Sequence, residues 1–120
     1  MLAGATLVAI GCGERRERGE GKAAAARLAQ LNWKAVEQAL GRPGAMQPGD
    51  VCRFGFPRTD LGVTVAGIRL MPALALGSWV AFKATSSGAI AMGDLVLRDD
   101  EIDPVIAKLV EGNIAVTALH

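Results

Sequence analysis

The residues able to do chemistry are few and scattered. His120 is the only histidine among 120 residues. On strand alternation it continues the face of Ile114, Val116 and Ala118. It reads as the first ligand of a metal or anion site, or as a strand-end residue. A zinc site takes three or four ligands, and neither a cysteine nor a carboxylate cluster accompanies His120. No metal and no cofactor is therefore expected. Asp94, between Gly93 and Leu95, is an unusual mid-strand carboxylate. It would act as an acid/base or ligand-binding group, pair with Arg98 or Arg53, or cap a neighbouring loop. Arg58 and Asp60 in P-R-T-D-L suit a turn locked by an ion pair or by Asp-to-backbone bonds. The alternative is a substrate-facing Arg58.

Named catalytic motifs are missing, so no catalytic residue is assigned. Ser78 stands in G-S-W without a G-x-S-x-G elbow, and a relay would have to use His120. G-R-P-G at 41–44 has no Walker lysine after it and reads as the end of a helix. The two cysteines, Cys12 and Cys52, form no C-x-x-C and are too few for a disulfide framework. Cys52 falls in an alternating strand pattern, where a thiol packs as a small apolar residue. Glu101 and Asp103 suit a helix N-terminus, whose dipole favours carboxylates.

Charge narrows the partners. Thirteen Lys/Arg against twelve Asp/Glu leave a net +1, which gives no global pull toward nucleic acid or acidic membranes. Between Glu14 and Lys34 six basic residues face three acidic ones; between Asp94 and Glu111 six acidic face two basic. The basic stretch carries no interleaved aromatics, so it offers neither stacking platforms nor a duplex-binding face. It reads as a solvated linker, and nucleic acid is not expected as a partner.

The elements that must position these groups are short. Asn32 caps a helix over about 33–40 that stops at Gly41, with Trp33, Val36 and Leu40 on one face. Asp50 to Phe56 alternates as a strand with Cys52, Phe54 and Phe56 on one side. Val63–Val65, Ala66-Gly67 and Ile68–Leu70 read as a two-residue hairpin pairing Val65 with Ile68 and Thr64 with Arg69. A long strand over 74–84, a turn at 85–88 and a strand over 89–98 follow. Asp103 is the best N-cap for the next helix, with Pro104 at its first position and Ile102, Val105, Ile106 and Leu109 as its buried stripe. A last strand covers 114–119. The fold class is α+β: a mainly antiparallel sheet of about six strands, two or three short helices and a C-terminal β-α-β unit.

The N-terminus reads as an address. Residues 1–11, MLAGATLVAIG, are uncharged and apolar, too short to span a bilayer and the right length for a secretion signal. Ala9-Ile10-Gly11-Cys12 resembles a lipobox, whose cysteine is acylated, although no Lys or Arg precedes Arg15. The alternative is a structural apolar strand. Residues 13–31 are charged and Ala-rich, a tether or an upstream helix extension.

F-P-R-T-D-L at 56–61, P-A-L-A-L-G-S-W-V-A-F at 72–82, M-G-D-L-V-L at 92–97 and D-P-V followed by V-T-A-L-H at 116–120 together resemble one family. It is the uncharacterised bacterial family of LppY/LpqO-type lipoproteins, and W-K-A-V-E-Q-A-L-G at 33–41 is similar to its opening helix. The resemblance implies that T-A-L-H is followed by further histidines, a strand and a helix. A domain over 32–120 cut short at its C-terminus is thus expected. Three functions stay open. The first is a cell-envelope lipoprotein domain, ligand-binding or structural, anchored to the membrane through Cys12, with an unknown small-molecule ligand. The second is a fragment of a metal-dependent or hydrolytic enzyme whose histidine site lies beyond His120. The third is a small intracellular, cytoplasmic interaction domain. Self-association through the open edge of the last strand is expected as well.

Overall fold

The computed structural model describes residues 2–9, as a backbone strand, and 31–120. In chain order the elements are β1 (Leu2–Ala9), α1 (Trp33–Leu40), β2 (Ala45–Gln47), β3 (Val51–Pro57), β4 (Thr64–Val65), β5 (Ile68–Arg69), α2 (Pro72–Ala75), β6 (Gly77–Thr85), β7 (Gly88–Arg98), α3 (Asp99–Glu111) and β8 (Ala115–Leu119). Six strands form one sheet in the order β2-β3-β6-β7-β1-β8, and β4-β5 is a separate hairpin. Every pairing is antiparallel. This is the α+β fold expected from the sequence.

Local chemistry accounts for most of these elements. The Asn32 side chain accepts the Ala35 N–H at 3.1 Å, and Gly41 ends α1 in the left-handed region at φ 67°. Glycine adopts that conformation at no steric cost. The β4-β5 turn has positive φ at both Ala66 and Gly67, as a two-residue turn matched to strand twist requires. Its register, Val65↔Ile68 and Thr64↔Arg69, is the expected one.

Strand alternation divides the sheet into two faces. Cys52 and Phe54 of β3 and Ala84 of β6 are buried, as are Leu76 and Leu97. Phe54 is fully enclosed and meets Phe82 edge-on at 5.8 Å. Gly44 lies against this core: a Cβ there would stand 2.6 Å from Cys52 Sγ and 2.8 Å from Phe54 Cζ. The intervening residues, Arg53, Gly55 and Pro57, are exposed on the other face.

Three expectations need correction. The strand predicted over 74–84 starts only at Gly77, because Pro72 opens a helical turn that Leu76 N–H closes onto the Pro72 carbonyl. Leu74, which strand alternation would set on the same face as Leu76, is 72% exposed, whereas Leu76 is buried. The last helix starts at Asp99, not after an Asp103 cap, and contains Pro104 in its interior. Asp99, Asp100 and Glu101 in its first turn suit the helix dipole, and Glu101 accepts the Arg98 N–H. Together these favour the earlier start over the proline position. Finally, the β1–β8 register skips Thr117, so Val116 is level with Leu7 and Ala118 with Thr6. Those β1 residues stand opposite Gly93 and Asp94. Simple alternation from Ile114 to His120 therefore fails.

The expected β-α-β unit is present as β7-α3-β8, with β1 inserted between its strands. The apolar run read as a secretion signal thus supplies a strand over Leu2–Ala9. Cys12 and all but the last residue of the tether over 13–31 lie outside the described residues.

Candidate functional site

Two arginines, one within β3 and one just past its end, have opposite surroundings. Arg58 follows the strand directly, and its side chain is only 16% exposed. A guanidinium has five N–H donors, and all five are used. Nε and Nη2 donate to the two Asp60 carboxylate oxygens at 2.9 and 2.8 Å. Nη1 and Nη2 donate to the two Glu101 oxygens at 2.8 and 2.9 Å. The remaining Nη1 donor meets the Val96 carbonyl at 2.7 Å. Beside it, Ser78 Oγ accepts the Val96 N–H at 2.8 Å. Ser78 and Arg58 therefore satisfy the β7 backbone beyond the last β6–β7 pair, Trp79↔Asp94.

The charges respond accordingly. Hydrogen bonding from Arg58 holds the Asp60 carboxyl down at about 2. The same guanidinium, then the Arg98 N–H, lowers Glu101 below the usual carboxylate range. Bonds to Asp60 and then to Glu101 push Arg58 further up. This cluster joins the loop after β3 to the start of α3. It leaves Arg58 no donor for a substrate.

Arg53, within β3, stands on the exposed face. Its guanidinium lies 4.4 Å from the centre of the Trp79 ring. Register explains the meeting: Trp79 pairs with Gly55, two residues along from Arg53 on the same face. No side chain at Gly55 intervenes. A guanidinium engages a ring through its face, which leaves its in-plane N–H groups for a further partner. Here the sheet forms the floor of an open groove of about 660 Å³, walled by Met71 to Ala75. Among the described residues Arg53 is the only charged one lining it; Pro57, Met71, Leu74 and Trp79 make it largely apolar. That volume lies within the range of small-molecule sites.

The other expected site residues are dispersed. Asp94 is half-buried, level with Trp79 across β6–β7, and already engaged in an interaction. His120 is exposed just past β8, beyond β1 from β7. Arg58 belongs to the ion cluster. The fold therefore does not gather Arg58, Asp94 and His120 into one site. Among the described residues no group of three His, Cys, Asp or Glu is placed to hold a metal. Cys52 is buried, and burial followed by the nearby Glu37 charge pushes its thiol up, away from the reactive thiolate. A second groove of about 760 Å³, between the hairpin and α3, has charged walls. Its Asp60 is bound to Arg58 and its Arg98 to Asp100.

The Arg53–Trp79 pair escaped sequence reasoning. Alternation along β3 separates Arg53 from the Phe54 face, but pairing it with Trp79 requires the β3–β6 register. Among the described residues no helix is long and apolar enough to cross a membrane. Residues 34–120, most of the chain, match the model of a protein family described as Domain of Unknown Function (DUF1259). No curated protein and no solved structure matches the chain.

Proposed function

The chain belongs to this family of unknown function, and on that premise we propose a non-catalytic binding domain that holds a small, partly apolar anion in the Arg53–Trp79 groove. The observation that carries this reading is the stacking of an exposed guanidinium on Trp79 at 4.4 Å, in a groove that no other charged residue lines among the described residues. An acidic group on the ligand would pair with the in-plane N–H donors of Arg53. Its apolar part would cover the indole edge and the Met71–Ala75 wall.

Trp33 and Trp79 are the only tryptophans, so Trp33→Phe leaves Trp79 as the sole reporter of the groove. Titration with hexanoate and phenylacetate is expected to give a saturable change in its emission. An unchanged signal with both acids would refute the groove as an anion site.

We further place the protein in the cell envelope as an LppY/LpqO-type lipoprotein anchored through Cys12. Support comes from the Ala9-Ile10-Gly11-Cys12 tetrad, the charged stretch behind it and the family resemblance. Two acyl signals make a stable anchor, at about 0.8 kcal/mol per buried CH2. Intact mass of the native protein reads this directly: an acylated species starting at Cys12 is expected. A species that retains Leu2–Ala9 in the soluble fraction would contradict it.

The pairing of Leu2–Ala9 with both β7 and β8 favours a second reading, an interaction domain whose apolar run is structural. With Leu2–Ala9 in place, β8 ends the sheet of the described strands with an uncharged, proline-free sequence. Self-association along that edge belongs to the proposal.

A further inference from the structure

β1 fills a place one strand wide. β7 and β8 run in the same direction and are joined by α3, yet they do not pair with each other. β1 lies between them, antiparallel to both: Leu2↔Arg98 through Ala9↔Ala91 on one side, Ala5↔Leu119 through Val8↔Ala115 on the other. Without it, two rows of backbone donors and acceptors would face each other across a gap too wide for direct hydrogen bonds. Strand spacing is about 4.8 Å, and removing one strand doubles it. Such groups need partners wherever water is excluded.

Two neighbouring pairs of the main sheet are joined by tight turns, whereas 58–76, with the hairpin and α2, lead from β3 to β6. Residues 86–87 join β6 to β7, and 48–50 join β2 to β3. α3 carries the chain from β7 to β8. β1 is different, since residues 10–32 separate it from α1. Its place is set by its ladders and not by a tight turn. Its sequence, LAGATLVA, is uncharged and free of proline, which is what an interior strand requires.

We propose that the space between β7 and β8 is a strand-acceptor site. It takes an extended, uncharged, apolar segment of about eight residues, antiparallel to both neighbours. Leu2–Ala9 is the occupant seen here. A form of the protein starting at Cys12 takes a partner segment of the same chemistry instead. Strand addition of this kind draws affinity from main-chain hydrogen bonds and specificity from alternate side chains. The proposal does not depend on the Arg53 groove and stands or falls separately.

The test uses the whole chain with a protease site inserted within residues 13–21 and cut after folding. A fluorescently labelled LAGATLVA peptide is then added. The severed segment is expected to stay bound by native mass spectrometry and to be displaced by the labelled peptide at one per chain. A peptide carrying Thr6→Pro, which loses a ladder donor, is expected to fail. In the uncut chain the same Thr6→Pro change is expected to abolish the sharp thermal transition. A severed segment that departs while the remainder melts as before would overturn the proposal. So would a labelled peptide that does not compete, or a Thr6→Pro chain with unchanged melting.

Discussion

Arg53 and Arg58 lie five residues apart on and just after the same strand, yet they face different demands. Arg58 is enclosed, and its five donors are spent on Asp60, Glu101 and the Val96 carbonyl. Arg53 is exposed and rests on Trp79 above an apolar groove. A guanidinium with every donor satisfied by its own chain organises structure. One held by its face keeps its edge for something else. Residue type alone could not assign these roles, whereas the count of satisfied donors can.

The largest effect is expected at Gly93, which packs against the backbone of Trp79 and Val80. A Cβ at this position would collide with the Trp79 carbonyl oxygen and stand 3.2 Å from Val80 Cα, both backbone atoms that cannot rotate away. Gly93→Ala is expected to cost about 3 kcal/mol or to prevent folding, read by urea denaturation. It should disturb the groove floor as well, so binding and stability fall together.

Arg58→Met sharpens the contrast. It removes the donor from Val96 O and leaves the Asp60 and Glu101 carboxylates without their shared cation. A loss of about 2 kcal/mol is expected, with anion binding at the groove retained. Loss of binding in a variant that remains folded would mean that Arg58 serves the ligand after all.

Acid titration dissects the same cluster. Asp60 and Glu101 have lowered pKa values in the folded protein, Asp60 about 2. Their contribution is complete above the unfolded values of about 4 and is lost as pH falls through the folded ones. Wild-type Tm is therefore expected to fall between about pH 4 and pH 2 more steeply than that of Arg58→Met. Parallel Tm profiles across that window would contradict the cluster's role.

The smallest stability effect belongs to Arg53→Gln. An exposed cation–π contact is worth about 0.5–1 kcal/mol, so its Tm should stay close to wild type while binding disappears.

How much of this was legible beforehand depended on the range of the interactions. Asn32 and Gly41 announce α1 because a cap is local. Ala66-Gly67 announces its hairpin for the same reason, and alternation through Cys52, Phe54 and Phe56 reveals the core face. Pro104 misled, because a proline favours a helix start only until stronger signals lie upstream. Here three acids and the Glu101 bond to Arg98 N–H supply them. The bulge at Thr117 left no local mark, so the face assigned to His120 by simple alternation failed. Arg58 and Asp60 were visible as a pair, being two residues apart, but Glu101 lies 43 residues away and joined them only through the fold. The Arg53–Trp79 stack likewise needed strand register, which turn chemistry does not fix between β3 and β6.

The most direct measurement of the central claim is one phenylacetate titration of Trp79 emission in three backgrounds. These are Trp33→Phe alone, with Arg53→Gln, and with Arg58→Met. Saturable binding is expected in the first and third and none in the second. Equal binding with and without Arg53, or loss only when Arg58 is replaced, would contradict the claim.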